Sequence, residues 1–479
     1  MPIKRRCTCG ATTSASTSMR PMWRPRRNPP WCSSRQRRAE LQQYGSSPQE
    51  RSPPRPPRRA VAGDTARHVV PAVSTVPGRL AHTAAVCRPP MKIFVLHARH
   101  LDVAAWQIQY ALGRRPDLTP YGYHHAADEH HQLVHSRRSG PAWLRLLVDG
   151  LSRALTGLDF FHVLCNLPRI LRERPDIIWT HTEYEWMPWL QLSRWLRLRR
   201  IPVIAQSVWL ADRWPTLNER QRQRVTSLAA DAAACTFLSP LNAAWARSVN
   251  LNPKVCWVPF GISTESFQPI PNSTEPPPAA PTNEADAPAI RVLSVGSDRH
   301  RDWATLGQAL GGNSRFELRV ASDQALVDLK AQGATVAKVD LAMLRQWYAW
   351  ADVVAVSLAP NWHASGLTTV LEACAMGKPV VVTDTGGLRD CLGAGALTLV
   401  PPNDAAALRD AVLHLHQHPD AAALQVGVAR ARVAHQQLTS RGYARRHLAL
   451  SKQLLDPLRV HADTRPASTT LGHTAHTDF

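Results

Sequence analysis

The sequence predicts an α/β protein built as two doubly wound units in tandem, with parallel sheets facing across a cleft. Three observations carry this. From residue 91 onward, short apolar runs alternate with longer stretches of helical periodicity, the pattern of strands joined by crossover helices. The pattern is interrupted once, by the proline-rich "QPIPNSTEPPPAAPTNEADAP" at 268–288, and then restarts. And 479 residues are enough for two or three domains, each with its own core.

In chain order, the first run is "MKIFVLHARH", where the composition changes abruptly at Met91. It is followed by "PDIIWTHT" (175–182), "IPVIAQS" (201–207), "ACTFLS" (234–239) and "KVCWVPF" (254–260). After the proline-rich break come "IRVLSVGS" (290–297), "FELRVAS" (316–322), "DVVAVSL" (352–358), "KPVVVTD" (378–384) and "ALTLVPP" (396–402). The expected organisation is a first unit at 91–265, a linker at 266–289 and a second unit at 290–436. A helix at 437–460, containing "YARRHLALSKQLLDPL", is expected to pack back on the first unit, and 461–479 reads as a frayed tail. Ligands of such sheets bind at the carboxyl ends of the strands.

The net charge of +21 suggests a nucleic-acid or membrane partner only if it is spread evenly, and it is not. Residues 1–90 hold 17 Lys+Arg against 3 Asp+Glu, and 14 of the 39 prolines. The other 389 residues carry 40 basic side chains against 33 acidic, an ordinary balance. Stretches such as "RPRRNPPWCSSRQRR" bury too little apolar surface to offset chain entropy, so 1–90 is read as a disordered basic extension. Two readings stay open for it: sequence upstream of a true start at Met91, or a tail that binds RNA or anionic lipid. The nine cysteines are scattered, with no CxxC pair of metal spacing, so a structural zinc site is not expected. No apolar run reaches the length of a spanning helix, and the working location is the cytoplasm, with the inner face of the membrane as an alternative.

The segment "HASGLTTVLEACAMGKPVVVTDTGG" (363–387) reads as a helix between two strands, capped by Ser365 and stopped by Gly377 and Pro379. At 100° per residue, Leu367, Val370, Leu371 and Cys374 share a stripe, and Glu372 lies off it, on an exposed side with Thr368. A helix start with free N–H groups is a natural anion site, Gly366 lets a ligand approach the backbone, and a carboxylate one turn deeper suits a ribose. The plainer reading is a solvated Glu on a surface helix. "LSVGSDRHRDWATLGQAL" (293–310) adds Gly296 after a strand and a basic turn with Arg299 and Arg301, which would meet a diphosphate from the other side.

With these residues in view, "SVGSDRHRDWATL", "WYAWADVVAVSLAPNWHASGLTTVLEACAMGKPVVVTDTGGLRD" and "VPFGISTESFQP" resemble the glycosyl transferases group 1, the large retaining family 4 of glycosyltransferases with the GT-B fold. The resemblance spans roughly 91–455 and implies two Rossmann-like domains, an N-terminal one for the acceptor and a C-terminal one for the nucleotide sugar. It implies that the helix start holds the donor diphosphate and that the second glutamate of an E-x7-E motif, here Glu372, holds the ribose. The family's lysine falls on Arg301; its arginine position holds Ser297, for which Arg299 is a substitute. The first motif glutamate is replaced by Ala364, leaving the amides near Ser365 and Gly366, or His363 and Asn361, to take its place. The donor site so implied comprises Gly296, Arg299, His363, Ser365, Gly366, Leu367, Thr368 and Glu372, with Arg301, His181 and Glu372 as catalytic groups. Transfer with retention, without a metal or cofactor, is implied, the nucleotide sugar being the co-substrate and a glycan, lipid-linked or small molecule the acceptor.

In the first unit, His181 follows the strand in "PDIIWTHTEYEWMPWL", where the family carries a histidine facing the transferred sugar. Glu183 and Glu185 are candidates for acceptor contacts or a base, or else solvated loop charges. "WMPWLQLSRWLRLRR" (186–200) joins aromatic and leucine residues to four arginines. It reads either as a peripheral membrane contact or as a helix packed on the sheet with arginines at its C-terminal end. Trp362 is a candidate for the cleft wall. Two rival functions stand beside transfer: a nucleotide-sugar epimerase of the same fold, and nucleic-acid binding through the basic tail, which would not be sequence-specific. A dehydrogenase is disfavoured because no G-x-G-x-x-G follows either first strand.

Overall fold

The computed structural model describes residues 90–138, 140–270 and 288–463. The expected extension up to residue 89, most of the proline-rich linker and the tail from 464 lie outside these residues.

Each unit carries one six-stranded parallel sheet. The first contains β1 (Met91–Leu96), β2 (His131–His135), β3 (Ile177–Thr180), β4 (Val203–Gln206), β5 (Ala234–Phe237) and β6 (Val255–Trp257), in the spatial order β2-β1-β3-β4-β5-β6. The second contains β7 (Ile290–Val295), β8 (Phe316–Ala321), β9 (Thr335–Ala337), β10 (Val353–Val356), β11 (Val380–Thr383) and β12 (Thr398–Val400), in the order β12-β11-β10-β7-β8-β9. The strand order reverses between β1 and β3 and again between β7 and β10, so each sheet has a switch point where its loops diverge and leave a crevice.

The unbroken apolar runs follow from burial on both faces. In β1, Phe94 and Leu96 enter one core cluster and Ile93 and Val95 the other. In β10, Val354 and Val356 face one cluster and Val353 and Ala355 the opposite one. The two strands that the apolar runs did not announce are edge strands: β2 is the polar "HQLVH" and β9 is three residues long.

The last helix, Ser440–Asp463, lies on the first sheet. Its Tyr443, Ala444, Leu450 and Leu455 share a core cluster with Met91, Ile93, Val95 and Trp179. Trp179 Nε1 donates to Ser451 Oγ at 2.8 Å, and Tyr443 OH donates to Gln206 Oε1 at 2.5 Å.

Most of the stretch 186–200 is a helix packed on the sheet, the second of the two readings above. In the helix Glu183–Trp195, the side chains of Trp186, Met187, Trp189, Leu190 and Leu192 are buried against the first sheet, while Tyr184, Arg194 and Trp195, with Leu196 just beyond the helix, are exposed. Among the described residues, no helix is long and apolar enough to cross a membrane.

Candidate active site

A cavity of ≈ 760 Å³ opens between the two sheets and draws its walls from both units. Arg301 is part of its lining. It follows β7, where a short bridge to Leu358 fixes the loop, and it is buried. Its Nη2 donates to Thr369 Oγ1 at 2.9 Å, and Thr369 Oγ1 donates in turn to the Val295 carbonyl at 3.1 Å. Nε and Nη1 are buried with no protein partner. Burial pulls the guanidinium down to about 10, against the pull of Tyr348, Asp298 and Glu372, so it is charged at neutral pH. Two glycines make its seat. At Gly296 (φ +139) an added Cβ would lie 2.4 Å from Arg301 Nε, and at Gly366 (φ +87) it would lie 2.9 Å from Val356 Cγ1 and 3.1 Å from Arg301 Nη1.

The helix expected after "NWHASG" is Leu367–Ala375, and its cap differs from the expectation. Gly366, in the left-handed region, occupies the N-cap and no side chain caps the first turn. Ser365 Oγ instead donates to Asp298 Oδ1 at 3.1 Å. Leu367 N–H donates to the Ala364 carbonyl at 3.1 Å, and with no side-chain cap the next first-turn amides, those of the cavity-lining Thr368 and Thr369, are left for a ligand, the arrangement of an anion site. Glu372 corrects a second expectation, because it is buried, not exposed. The helix is covered on nearly every side; only Thr368 is open, and it lines the cavity. Tyr348 OH donates to Glu372 Oε2 at 2.9 Å. Burial raises the Glu372 carboxyl to about 7, while Tyr348 and Arg301 work in the opposite direction.

Across the cavity, His181 follows β3 and is buried. Its ring stacks on Tyr121 with centroids 3.4 Å apart. Gln206 Nε2 lies 3.0 Å from the His181 carbonyl and 2.9 Å from Nδ1, and Gln206 Oε1 accepts from Tyr443. The carbonyl can only accept, so it fixes the Gln206 amide as donor; His181 Nδ1 then accepts and the ring proton resides on Nε2. Burial, with His447 and His100 nearby, lowers His181 to about 3, so the ring is neutral. Glu183 and Glu185 are not solvated. Glu185 closes a capping box with Thr182 and burial raises it to about 8; Glu183 Oε2 accepts from the Val208 amide at 3.1 Å.

A polar chain joins the units at the cavity wall. His363 Nδ1 lies 2.7 Å from Asp212 Oδ2 in the first unit, and Nε2 lies 3.3 Å from Asp298 Oδ2 in the second. The Trp362 amide donates to Asp212 Oδ1 at 2.8 Å. Burial opposes the His363 charge, but hydrogen bonds and charge from Asp212 and Asp298 outweigh it and raise the ring to about 9. Burial also works against the Asp298 charge, yet His363, the His300 amide and Ser365 hold that carboxyl well below its usual range. Asp298, His300 and His363 offer ligand atoms within 4.8 Å of one another, but a cation there would have to strip His363 of a proton shared with two carboxylates. A second such group, Asp117, His124 and His125, lies away from the cavity.

Of the site residues named from the sequence, Gly296, Arg301, His181, His363, Ser365, Gly366, Leu367, Thr368 and Glu372 all line this one cavity. Arg299 does not; it is exposed on the turn and leaves the role of the absent arginine unfilled. Trp362 also stands outside the lining, and Trp209 of the first unit is there instead. Sequence reasoning missed Tyr348, Thr369, Asp212 and Asp298. Asp298, Tyr348 and Thr369 lie within the stretches singled out above and Asp212 outside them, but nothing local marks any of the four, which meet the site only through the fold.

Two Rossmann-like units, each with a six-stranded parallel sheet, and a shared cleft at the strand ends define the GT-B fold. Residues 303–418 match the family model described as "Glycosyl transferases group 1". Solved structures share the fold. Sucrose-phosphate synthase from Thermosynechococcus elongatus aligns with a TM-score of 0.57 at 19% identity, covering 76% of this chain and 100% of its own. Anabaena HepE, solved with UDP and glucose, aligns at 0.52 and 14%, covering 77% and 100%. A glycosyltransferase from Rickettsia africae aligns at 0.51 and 14%, covering 77% and 99%. No curated protein matches the chain.

Proposed function

We propose that the protein transfers a hexosyl group from a nucleoside-diphosphate sugar to a glycan, lipid-linked or small-molecule acceptor, with retention of anomeric configuration. In this reading the unit at 290–436 binds the donor and the unit at 91–265 the acceptor. The observation that carries it is the pair of buried, partnerless donors on Arg301, Nε and Nη1, beside the uncapped start of the helix Leu367–Ala375. A buried charged donor without a partner is costly, and a diphosphate supplies what it lacks.

The roles follow from position. Arg301 and the amides after Gly366 stabilise charge as it develops on the leaving diphosphate, a preorganised electrostatic contribution. Ionised Glu372 accepts from the ribose hydroxyls. Neutral His181 offers its Nε2 proton to the transferred sugar from the opposite wall. The leaving phosphate takes the acceptor proton on the same face, so no covalent glycosyl-enzyme is required. HepE was solved with UDP-glucose, and a uridine donor is the first to test here.

Thermal unfolding with UDP, GDP and their glucose and mannose conjugates tests the reading. A rise in Tm with one nucleotide, abolished in Arg301→Ala, is expected. No rise with any of them in the wild type would sink it. Incubation of the donor alone separates transfer from epimerisation, because only an epimerase changes the sugar without an acceptor.

A further inference from the structure

The helix Ala142–Thr156, "AWLRLLVDGLSRALT", is oriented opposite to a packed amphipathic helix. Trp143, Leu146, Leu147, Leu151 and Leu155 are between 63% and 75% exposed. At 100° per residue, with Gly150 and Ala154, they fill about half the circumference of the helix without a charged side chain between them. The inward side is the polar one. Asp149, its only acidic residue, is buried, lines the active-site cavity and accepts the Phe161 amide at 3.0 Å.

The surroundings identify what covers this face. Just beyond the helix, Phe160 stacks on Trp195 with centroids 5.2 Å apart, which brings exposed Trp195 and Leu196 beside it. Arg137 and Arg138, just before the helix in sequence, and Arg197, Arg199 and Arg200, just after Leu196, are all exposed, and these two stretches contain no acidic residue. A partner helix would cover a narrow seam, whereas an arc this wide, with arginines in the adjoining stretches, fits a plane that is apolar inside and anionic at its surface.

We propose that this helix lies in the interface of an anionic lipid bilayer, with the cavity directly behind it. The inference does not depend on the sugar-transfer reading, because its readout is lipid binding. Co-sedimentation of the full chain with phosphatidylcholine vesicles, with and without phosphatidylglycerol, tests it. Binding at least tenfold tighter to the anionic vesicles is expected, and at least tenfold weaker in Leu147→Glu/Leu151→Glu. Both side chains are exposed, so the double variant should keep the wild-type Tm; Trp143→Ser is the second variant and should weaken binding in the same direction. Equal vesicle binding by wild type and both variants, as residues 1–90 alone would give, overturns the proposal. So does the absence of vesicle binding, or a wild-type dimer in light scattering that the double variant dissociates.

Discussion

Tyr348 OH and Glu372 Oε2 are joined by a 2.9 Å hydrogen bond inside the second unit, and this contact works against burial in setting the protonation of that carboxyl. Tyr348 is fully buried, as is the Trp347 beside it in the helix Leu341–Trp350, so the phenol has no freedom to turn away. It holds the carboxyl at the cavity wall, yet it cannot offset the whole cost of burial.

Glu372 therefore makes donor binding depend on pH. With its carboxyl raised to about 7, the acid is largely protonated at pH 6 and ionised at pH 8. A ribose needs the ionised form as acceptor, so nucleotide affinity should increase as pH rises through about 7. Glu372→Gln should flatten that profile and weaken affinity ~10-fold or more, the worth of a hydrogen bond to a charged group. Titration calorimetry from pH 5.5 to 8.5 measures both.

Arg301→Lys keeps the charge but not the fork, and Thr369 would lose its 2.9 Å partner. Turnover should fall ~10²–10³-fold, on the scale of losing one preorganised transition-state donor, with a smaller change in KM. Steady-state kinetics with saturating acceptor checks this; an unchanged kcat would remove Arg301 from the chemistry.

Gly296→Ala should behave like an arginine variant without touching the arginine. The new Cβ would sit 2.4 Å from Arg301 Nε, on a backbone with φ +139 that side chains rarely adopt. Nucleotide affinity should drop to near the Arg301→Ala level while far-UV circular dichroism stays native.

The His363–Asp212 pair predicts alkaline lability. The folded His363 pKa of about 9 exceeds its unfolded value, so its contribution is fully present below about 6.5 and is lost as pH rises through 9. Asp212→Asn should lower Tm at pH 7 and shrink the Tm difference between pH 7 and pH 10. Differential scanning fluorimetry across that range would show an equal difference in both proteins if the pair contributes nothing.

Much of the fold was legible because parallel strands buried on two faces must be continuous apolar runs, and β1 and β10 could hardly be read otherwise. β2 and β9 were not legible, since edge strands escape that demand. Arg301, Gly366 and His181 were found through local signals: a basic turn after a strand, a glycine before a helix, a histidine at a strand end. Glu372 was found for a reason the structure corrects. A periodicity argument assumes one buried face, and this helix has core on one side and cleft on the other, so an off-stripe residue is not a solvated one. Tyr348, Asp212 and Thr369 carry no such signal. Their partners lie 24, 151 and 68 positions away in sequence, and only the tertiary fold brings them together.

The final helix has a consequence for biosynthesis. Tyr443, Ala444 and Leu450 complete the cluster around Met91, Ile93 and Trp179. The earliest sheet to leave the ribosome thus waits, with part of one flank uncovered, until residues 443–455 have been made. A nascent chain stalled near residue 430 should be a substrate for chaperones even though the twelve strands of the described residues have already been made.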